Sequence, residues 1–347
     1  MSSIKEISIE EALEESKESV LIDVRTASEY AQGHLPNAYN IPLFDDEQRA
    51  VVGTVYKKES PAKAITKALA FAQQRMPFYE KEAMRIAKNK KAIIYCWRGG
   101  MRSHAFAFVL QACGIQCNLI IGGYKSFRRA VQDFYSNDFK FIILGGYTGS
   151  AKTEVLHKIA EKGEQVVDLE GLAHHKGSAF GSINEEKQSS TEDFENRLWD
   201  KMHKFDLNKV IWLEDESRQI GKNNIPDTLY KKMKEANLIQ LIIPKEKRID
   251  FLVSQYKTND LCLIEAINKI TKRLGGLDTK IAIQAVKEHN YETAAASLLH
   301  YYDKAYDFCL SKRTKDSIYP VYSEDINSEN LADFLIEKQK LISKNSS

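Results

Sequence analysis

The sequence predicts a two-domain α/β protein, on three observations. Short apolar runs such as SVLIDVR, KAIIYC, KFIIL and NLIQLIIP alternate with longer segments of helical character, as in parallel sheets covered by helices. KAIIYC ends in a cysteine and opens through WRGGM into the helix-patterned RSHAFAFVLQACG. KFIIL runs into GGYTGSAKT and then EVLHKIAEKG. Both read strand, glycine loop, helix. That arrangement aims backbone N–H groups and a helix dipole at one point, which favours an anion.

The elements follow in order. SVLIDVR is a strand, Ser28 and Glu29 begin a short turn or helix, and GHLPNAYNIPL is an extended loop leading to another strand. Residues 45–90 are polar and helix-prone, with Pro61 and Pro77 expected as breaks. After KAIIYC and its loop, Ala105, Phe106, Val109 and Leu110 make a helix face that Gly114 can stop. NLIIGGYKSF is a strand with a glycine turn, and residues 128–140 are a connecting helix and turn. A second α/β unit starts at KFIIL, with EQVVDLEGL, KVIWLEDES and NLIQLIIP as further strands. Beyond residue 246 the chain is expected to be helical, and the closing SKNSS to fray. The expected division is residues 1–130, a linker at 131–139, and 140–347.

Composition narrows the function classes. A length of 347 residues suits two domains, and a formal net charge of +2 gives no global field for nucleic acid. Any RNA or phosphate site must therefore come from local patches. The five cysteines form no CxxC pair, which argues against a disulfide framework. The chain opens with no signal peptide and carries no apolar run of membrane-spanning length. A cytoplasmic, reducing location and no membrane partner are expected.

Cys96 sits at a strand end, facing a helix N-terminus, with Arg98 and Arg102 adding positive charge. A thiol so placed has a lowered pKa and serves as a nucleophile. A packing cysteine is the plainer alternative, and the glycines and arginines argue against it. The segments LIDVRTASEYAQGHLPNAYNIPL, YCWRGGMRS and LIIGGYKSF together resemble a rhodanese domain over residues 1 to about 130. That resemblance implies that Cys96 carries sulfur or selenium, with Asp23 and Arg25 as a structural hydrogen-bonding pair. The Cys-x5-Arg spacing is one residue longer than in many single-domain rhodaneses and also resembles cysteine phosphatases. The longer cradle is expected to admit selenophosphate, a tetrahedral phosphorus anion.

GGYTGSAKT nearly fits the phosphate-loop pattern G-x-x-x-x-G-K-[ST], with Gly146 first and Ala151 replacing the last glycine. Gly146, Thr148, Gly149, Ser150, Lys152 and Thr153 are the expected phosphate-binding residues, and Thr153 is expected to hold magnesium. Ala151 stands where glycine often adopts a conformation costly for alanine. After the strand KVIW come Glu214, Asp215 and Glu216, of which Asp215 is the expected second metal contact. Asp168 and Glu170, after QVV, are further candidates for metal or substrate contact.

A rhodanese-like α/β domain followed by a P-loop NTPase-like α/β domain with a helical C-terminal region resembles the tRNA 2-selenouridine synthase family. RAVVGTVYK, DLEGLAHHKGSAFG, WLEDESRQIG, ITKRLGG and LLHYYDKAY add to the likeness. The resemblance implies a transferase that acts on 2-thiouridine at the wobble position of tRNA. Geranyl diphosphate alkylates the sulfur, and selenium from selenophosphate then displaces the geranylthiol. Both are co-substrates, and no tightly bound cofactor is expected. An enzyme supplying selenophosphate is a further expected partner.

Expected substrate contacts include His174, His175 and Arg218, with Arg49 and Lys57 as further contacts to tRNA or substrate. Lys269, Lys272 and Arg273 are read as a basic patch for tRNA phosphates. Tyr301 and Tyr302 are read as core, or as stacking on a base or the geranyl chain. Trp97 is read as covering the cysteine loop or lying against an isoprenoid. KEKR at 245–248 is read as a solvated face. The rival reading is a sulfurtransferase or cysteine phosphatase coupled to a nucleotide hydrolase or kinase. A third, non-enzymatic reading is an RNA-binding protein with a relic rhodanese.

Overall fold

Two five-stranded sheets, each wholly parallel, organise the chain. The computed structural model describes residues 4–255, 259–324 and 326–345, so positions 346 and 347 of SKNSS lie outside the described residues. The chain divides into two units, Met1–Phe134 with Ser189–Asp200, and Tyr135–Gln188 with Lys201–Ser347.

The first unit runs β1 (Lys5–Ile7), α1 (Ile9–Glu15), β2 (Val20–Asp23), α2 (Ala27–Gln32), β3 (Tyr39–Asn40), α3 (Asp46–Lys58), α4 (Pro61–Ile86), β4 (Lys91–Tyr95), α5 (Met101–Ala112), β5 (Gln116–Ile120) and α6 (Gly123–Phe134). Its sheet order is β1-β5-β4-β2-β3, which places β4 inside. Alternate residues of a strand face opposite sides. Ala92, Ile94 and Cys96 therefore join the core beneath α4 and α5, built with Tyr79, Ala83, Phe106 and Leu110. Tyr95 stands on the other side, stacked with Tyr124 of α6.

One expectation is corrected here. Pro77 does not break the helix, because α4 runs through it. Position 77 is exposed and so is Gln73, so the carbonyl that loses its hydrogen bond faces water. Pro61 does start the helix, at its first turn, where its missing N–H costs nothing. The connection at 131–139 begins as helix, since α6 continues to Phe134, and turns over 135–139 lead into the next strand.

The second unit, interrupted in sequence by most of α9 (Thr191–Met202), runs β6 (Lys140–Gly146), α7 (Lys152–Glu161), β7 (Gln165–Val167), α8 (Leu169–Ala173), β8 (Val210–Glu214), the hairpin β9 (Gln219–Ile220) and β10 (Asn223–Asn224), α10 (Asp227–Glu235), β11 (Asn237–Ile242), α11 (Lys245–Gln255), α12 (Asp260–Lys269), α13 (Thr271–Leu274), α14 (Gly276–Lys287), α15 (Tyr291–Leu310), β12 (Ile318–Tyr322) and α16 (Ser328–Asn345). Its sheet order is β12-β11-β6-β8-β7, again with the loop-bearing strand inside. Val155, Leu156 and Ile159 of α7 pack with Leu331, Leu335 and Ile336 of α16 against that sheet. A separate apolar core joins α12, α13, α14 and α15. The stretch beyond 246 is therefore mainly helical, but β12 adds a parallel edge strand beside β11. Pro320 hides IYPVY from sequence reading, and an edge position is where a sheet tolerates proline. No helix among the described residues is long and apolar enough to cross a membrane.

α9 follows the phosphate loop in sequence, yet most of it belongs to the first unit. There Asn196 Nδ2 donates to the Tyr124 hydroxyl (2.8 Å) and to the His34 carbonyl (3.0 Å). The Tyr124 hydroxyl donates to Glu192 Oε1 (2.8 Å). Arg128 pairs with Glu195, and Trp199 packs edge-on against Phe127 at 5.1 Å. Trp199 is buried. Trp199→Ala is expected to destabilise the first unit by about 3–5 kcal/mol, the usual cost of truncating a buried aromatic. Urea unfolding of the full-length chain would measure it.

Candidate active site

The cysteine site begins at the end of β4. Cys96 is 3% exposed. Its Sγ accepts from the Gly100 N–H (3.3 Å) and lies 3.4 Å from Ser103 Oγ. Gly100 is the N-cap of α5 and offers no side chain, so the sulfur itself takes up a helix-terminal N–H. Burial pushes the Cys96 thiol up. The Ser103 hydroxyl, the Arg98 backbone N–H and the Arg102 charge outweigh it and hold the thiol below its usual value.

A second strand end braces the loop. The Tyr124 and Lys125 N–H groups donate to the carbonyls of Cys96 (2.8 Å) and Trp97 (3.0 Å). Gly123 makes this approach possible. Its φ is +59°, and a Cβ there would run into the Cys96 carbonyl and the Gly99 nitrogen. Trp97 lies 5.6 Å from the Tyr124 ring. Asp23 and Arg25 are buried beneath, paired at 2.6 Å, and Arg25 also donates to the Gly33 carbonyl (2.6 Å). The Arg25 guanidinium sits 3.8 Å from the centre of the Tyr124 ring. These contacts make the pair a structural one.

The two arginines differ. Arg98 is exposed. Arg102 is forked onto Glu29, at 2.7 and 3.3 Å. Glu29 is also the N3 residue of the capping box of α2. Burial raises the Glu29 carboxyl, and Arg102 more than reverses this, leaving it below the usual value. An anion that engages Arg102 must therefore compete with Glu29. Neither Glu29 nor Ser103 stood out in the sequence as a site residue. Ser103 closes the YCWRGGMRS motif, whereas nothing in the spacing links Glu29 to residue 102.

The phosphate loop leaves β6 at Gly146. Lys152 Nζ folds back onto the carbonyls of Gly146 (3.0 Å) and Tyr147 (3.4 Å). Ser150 is fully buried, and both its Oγ (2.7 Å) and its N–H (3.2 Å) donate to the Tyr147 carbonyl. Its side chain therefore braces the loop from inside. Gly149 has φ +85° and leaves no room for a Cβ against Leu252 and the Arg248 carbonyl. Ala151 is left-handed, φ 53°, the conformation for which glycine is the usual occupant. Arg248, nearly buried, donates to the Thr148 carbonyl (3.1 Å) and forks onto Asp303 (2.9 and 2.8 Å). Of KEKR, Arg248 is thus not on a solvated face.

The acid beside Thr153 is Glu214, which corrects the expectation of Asp215. Thr153 Oγ1 donates to Glu214 Oε1 (2.8 Å) and lies 3.3 Å from Glu170 Oε2. Asp215 instead pairs with Lys234 (2.8 Å) and Arg313 (3.0 Å). Strand alternation is the reason, since Glu214 and Glu216 share one side and Asp215 takes the other. Both oxygens of Glu216 and Oε1 of Glu170 crowd the position where a Gly177 Cβ would stand. Burial first, and mutual repulsion second, raise Glu170 to about 8 and Glu216 to about 7, and lift Glu214 well above the usual value.

Other expected contacts lie elsewhere. Asp168 caps α8 through the Gly171 N–H (2.7 Å) and pairs with His157 (2.8 Å). Arg218 pairs with Asp227 at 2.6 Å on the surface, not with the acidic cluster. His174 is the left-handed C-cap of α8, and burial lowers the His175 pKa. Lys269, Lys272 and Arg273 are all exposed. Arg49 and Lys57 lie on α3.

Comparison with known proteins follows this geometry. Residues 139–339 match the family described as tRNA 2-selenouridine synthase AAA domain, and residues 8–130 match the rhodanese-like domain. The chain is 34% identical to the tRNA 2-selenouridine synthase of Sulfurovum sp. (strain NBC37-1), over 89% of this chain and 93% of the other. It is also 34% identical to the tRNA 2-selenouridine synthase of Proteus mirabilis (strain HI4320), over 90% and 94%. Among solved structures, a rhodanese-related protein from Thermoplasma volcanium is 21% identical with a TM-score of 0.23, over 36% of this chain and 92% of that one.

Two predictions follow from the electrostatics. Ser103→Ala removes a group that holds the Cys96 thiol down, so the midpoint of its alkylation rate against pH is expected to move up. The acidic trio has folded pKa values above the unfolded ones. Its contribution to stability is complete below the usual carboxylate range and is lost as pH rises through about 7–8. Glu214→Gln is therefore expected to raise the urea midpoint over the parent at pH 9 and not at pH 4.

Proposed function

Because the chain belongs to the tRNA 2-selenouridine synthase family, we propose that it replaces the sulfur of wobble 2-thiouridine in tRNA by selenium in two steps, one at each loop. The observation that carries the reading is the pairing, in one chain, of a thiolate cradle with a phosphate loop. Each sits on an interior parallel strand.

In the first step the phosphate loop holds the diphosphate of geranyl diphosphate. The thiouridine sulfur attacks the geranyl C1, the C–O bond breaks, and pyrophosphate leaves with the electron pair. Lys152, released from the Gly146 and Tyr147 carbonyls, supplies charge to the leaving group. The all-oxygen donor set of Thr153, Glu214 and Glu170 suits magnesium. Those three side chains would hold the ion. When bound, magnesium would supply charge neutralisation to the diphosphate.

In the second step the selenium of selenophosphate enters at C2 of the base, and geranylthiol leaves with its electron pair and a proton. Hydrolysis of the P–Se bond releases phosphate. The loop N–H groups, Arg98 and Arg102 suit the tetrahedral anion, and Cys96 handles its selenium. Prior alkylation turns a poor sulfur leaving group into a better one. The exposed Lys269, Lys272 and Arg273 suit tRNA phosphates. An enzyme that makes selenophosphate supplies the second step.

The test is to mix the protein with 2-thiouridine-containing tRNA, geranyl diphosphate and selenophosphate, then identify the wobble nucleoside by mass spectrometry. Selenouridine is expected, with an S-geranyl species when selenophosphate is omitted. Cys96→Ser is expected to stop selenation and leave geranylation largely intact, whereas Lys152→Ala impairs geranylation and everything after it. Loss of both steps in each variant would defeat the division of labour.

A further inference from the structure

A cavity in the second unit has one wall on the phosphate loop. Thr148 of the loop, Leu252 of α11, Ile267 of α12, Val286 of α14, and Leu299 and Tyr302 of α15 line it. The space between these walls, open mouth included, is about 660 Å³. Among the described residues no charged one lines it.

Three of the four polar side chains on its walls are engaged. The Tyr302 hydroxyl accepts from the Ala179 N–H (3.4 Å), the Tyr291 hydroxyl donates to Asp260 (2.9 Å), and Ser178 Oγ accepts from the Phe180 N–H (3.1 Å). A purine or pyrimidine edge entering here would leave donors and acceptors unpaired, which costs affinity. A hydrocarbon would lose nothing and would gain by leaving water. The cavity is also held in place against the loop. Leu252 abuts Gly149, and Arg248 of α11 ties the Thr148 carbonyl to Asp303 of α15. Two of the helices that wall the cavity, α11 and α15, therefore also clamp the loop.

We infer that this cavity takes the hydrocarbon tail of an isoprenyl diphosphate whose head sits in the phosphate loop. The inference rests on the reading of the loop as a diphosphate site, and it gives the loop's ligand a tail in place of a nucleoside.

The full-length protein is titrated with inorganic pyrophosphate, geranyl diphosphate and ADP. Geranyl diphosphate is expected to bind about 100-fold tighter than pyrophosphate, with no comparable gain for ADP. Ala295→Phe fills the cavity from α15 and is expected to abolish most of that gain while pyrophosphate binds as before. A variant with unchanged pyrophosphate affinity that keeps the gain overturns the cavity assignment and leaves the diphosphate reading standing. A parent protein that binds pyrophosphate but gains nothing from the tail does the same. Failure of the parent to bind either compound overturns the diphosphate reading, and the inference with it. The unsubstituted protein gives an independent check through geranyl diphosphate carrying a diazirine at the tail end. Labelling within residues 248–302, at Thr148 or within 178–180 is expected, and labelling confined to other segments overturns the assignment.

Discussion

Parallel pairing is the constraint on which both loops depend. In a parallel sheet every strand is left at the same edge, so the loops that follow neighbouring strands gather there. β4 and β6 are each flanked on both sides, by β5 and β2 and by β11 and β8. Cys96 and Gly146 therefore emerge from the most fixed part of their sheets. The neighbouring loop then finishes each site, with the Tyr124 and Lys125 N–H groups bracing the cysteine loop and Glu214 approaching Thr153 from β8.

The two loops use burial in opposite senses. At Cys96, hydrogen bonds and a nearby cation outweigh burial, and charge on sulfur is favoured. At Glu170, Glu214 and Glu216, burial and mutual repulsion prevail, and protons are retained. The first arrangement suits a nucleophile. The second is an incomplete electrostatic arrangement, in which three acids face a lysine that is turned onto its own loop. A charged ligand with its counter-cation would rearrange it, while Ser150, Arg248 and Asp303 hold the backbone still.

Local patterns made much of this legible in the sequence. Strand, glycine loop and helix are contiguous in both YCWRGGMRS and GGYTGSAKT, so residue order alone brings Cys96, Lys152 and Thr153 into play. Ala151 marked a costly conformation, and its φ of 53° bears that out. What could not be read depends on side-chain direction or distant pairing. The choice of Asp215 over Glu214 turned on strand parity, one residue either way. Glu29 reaches Arg102 across 73 positions. The strand IYPVY was concealed by its proline, and the cavity walls look like any core because hydrophobic identity says nothing about unfilled space.

The placement of α9 has a further consequence. The chain leaves the first unit after Phe134, returns for Ser189–Asp200 and leaves again. Asn196 and Trp199, which complete the surroundings of Tyr124 and Phe127, are thus encoded well inside the other half of the gene. A recombination event that exchanges the rhodanese half at a single junction would leave that half without its own helix. Such an exchange would succeed only between sequences already matched along α6 and α9, so the two halves are expected to be inherited together.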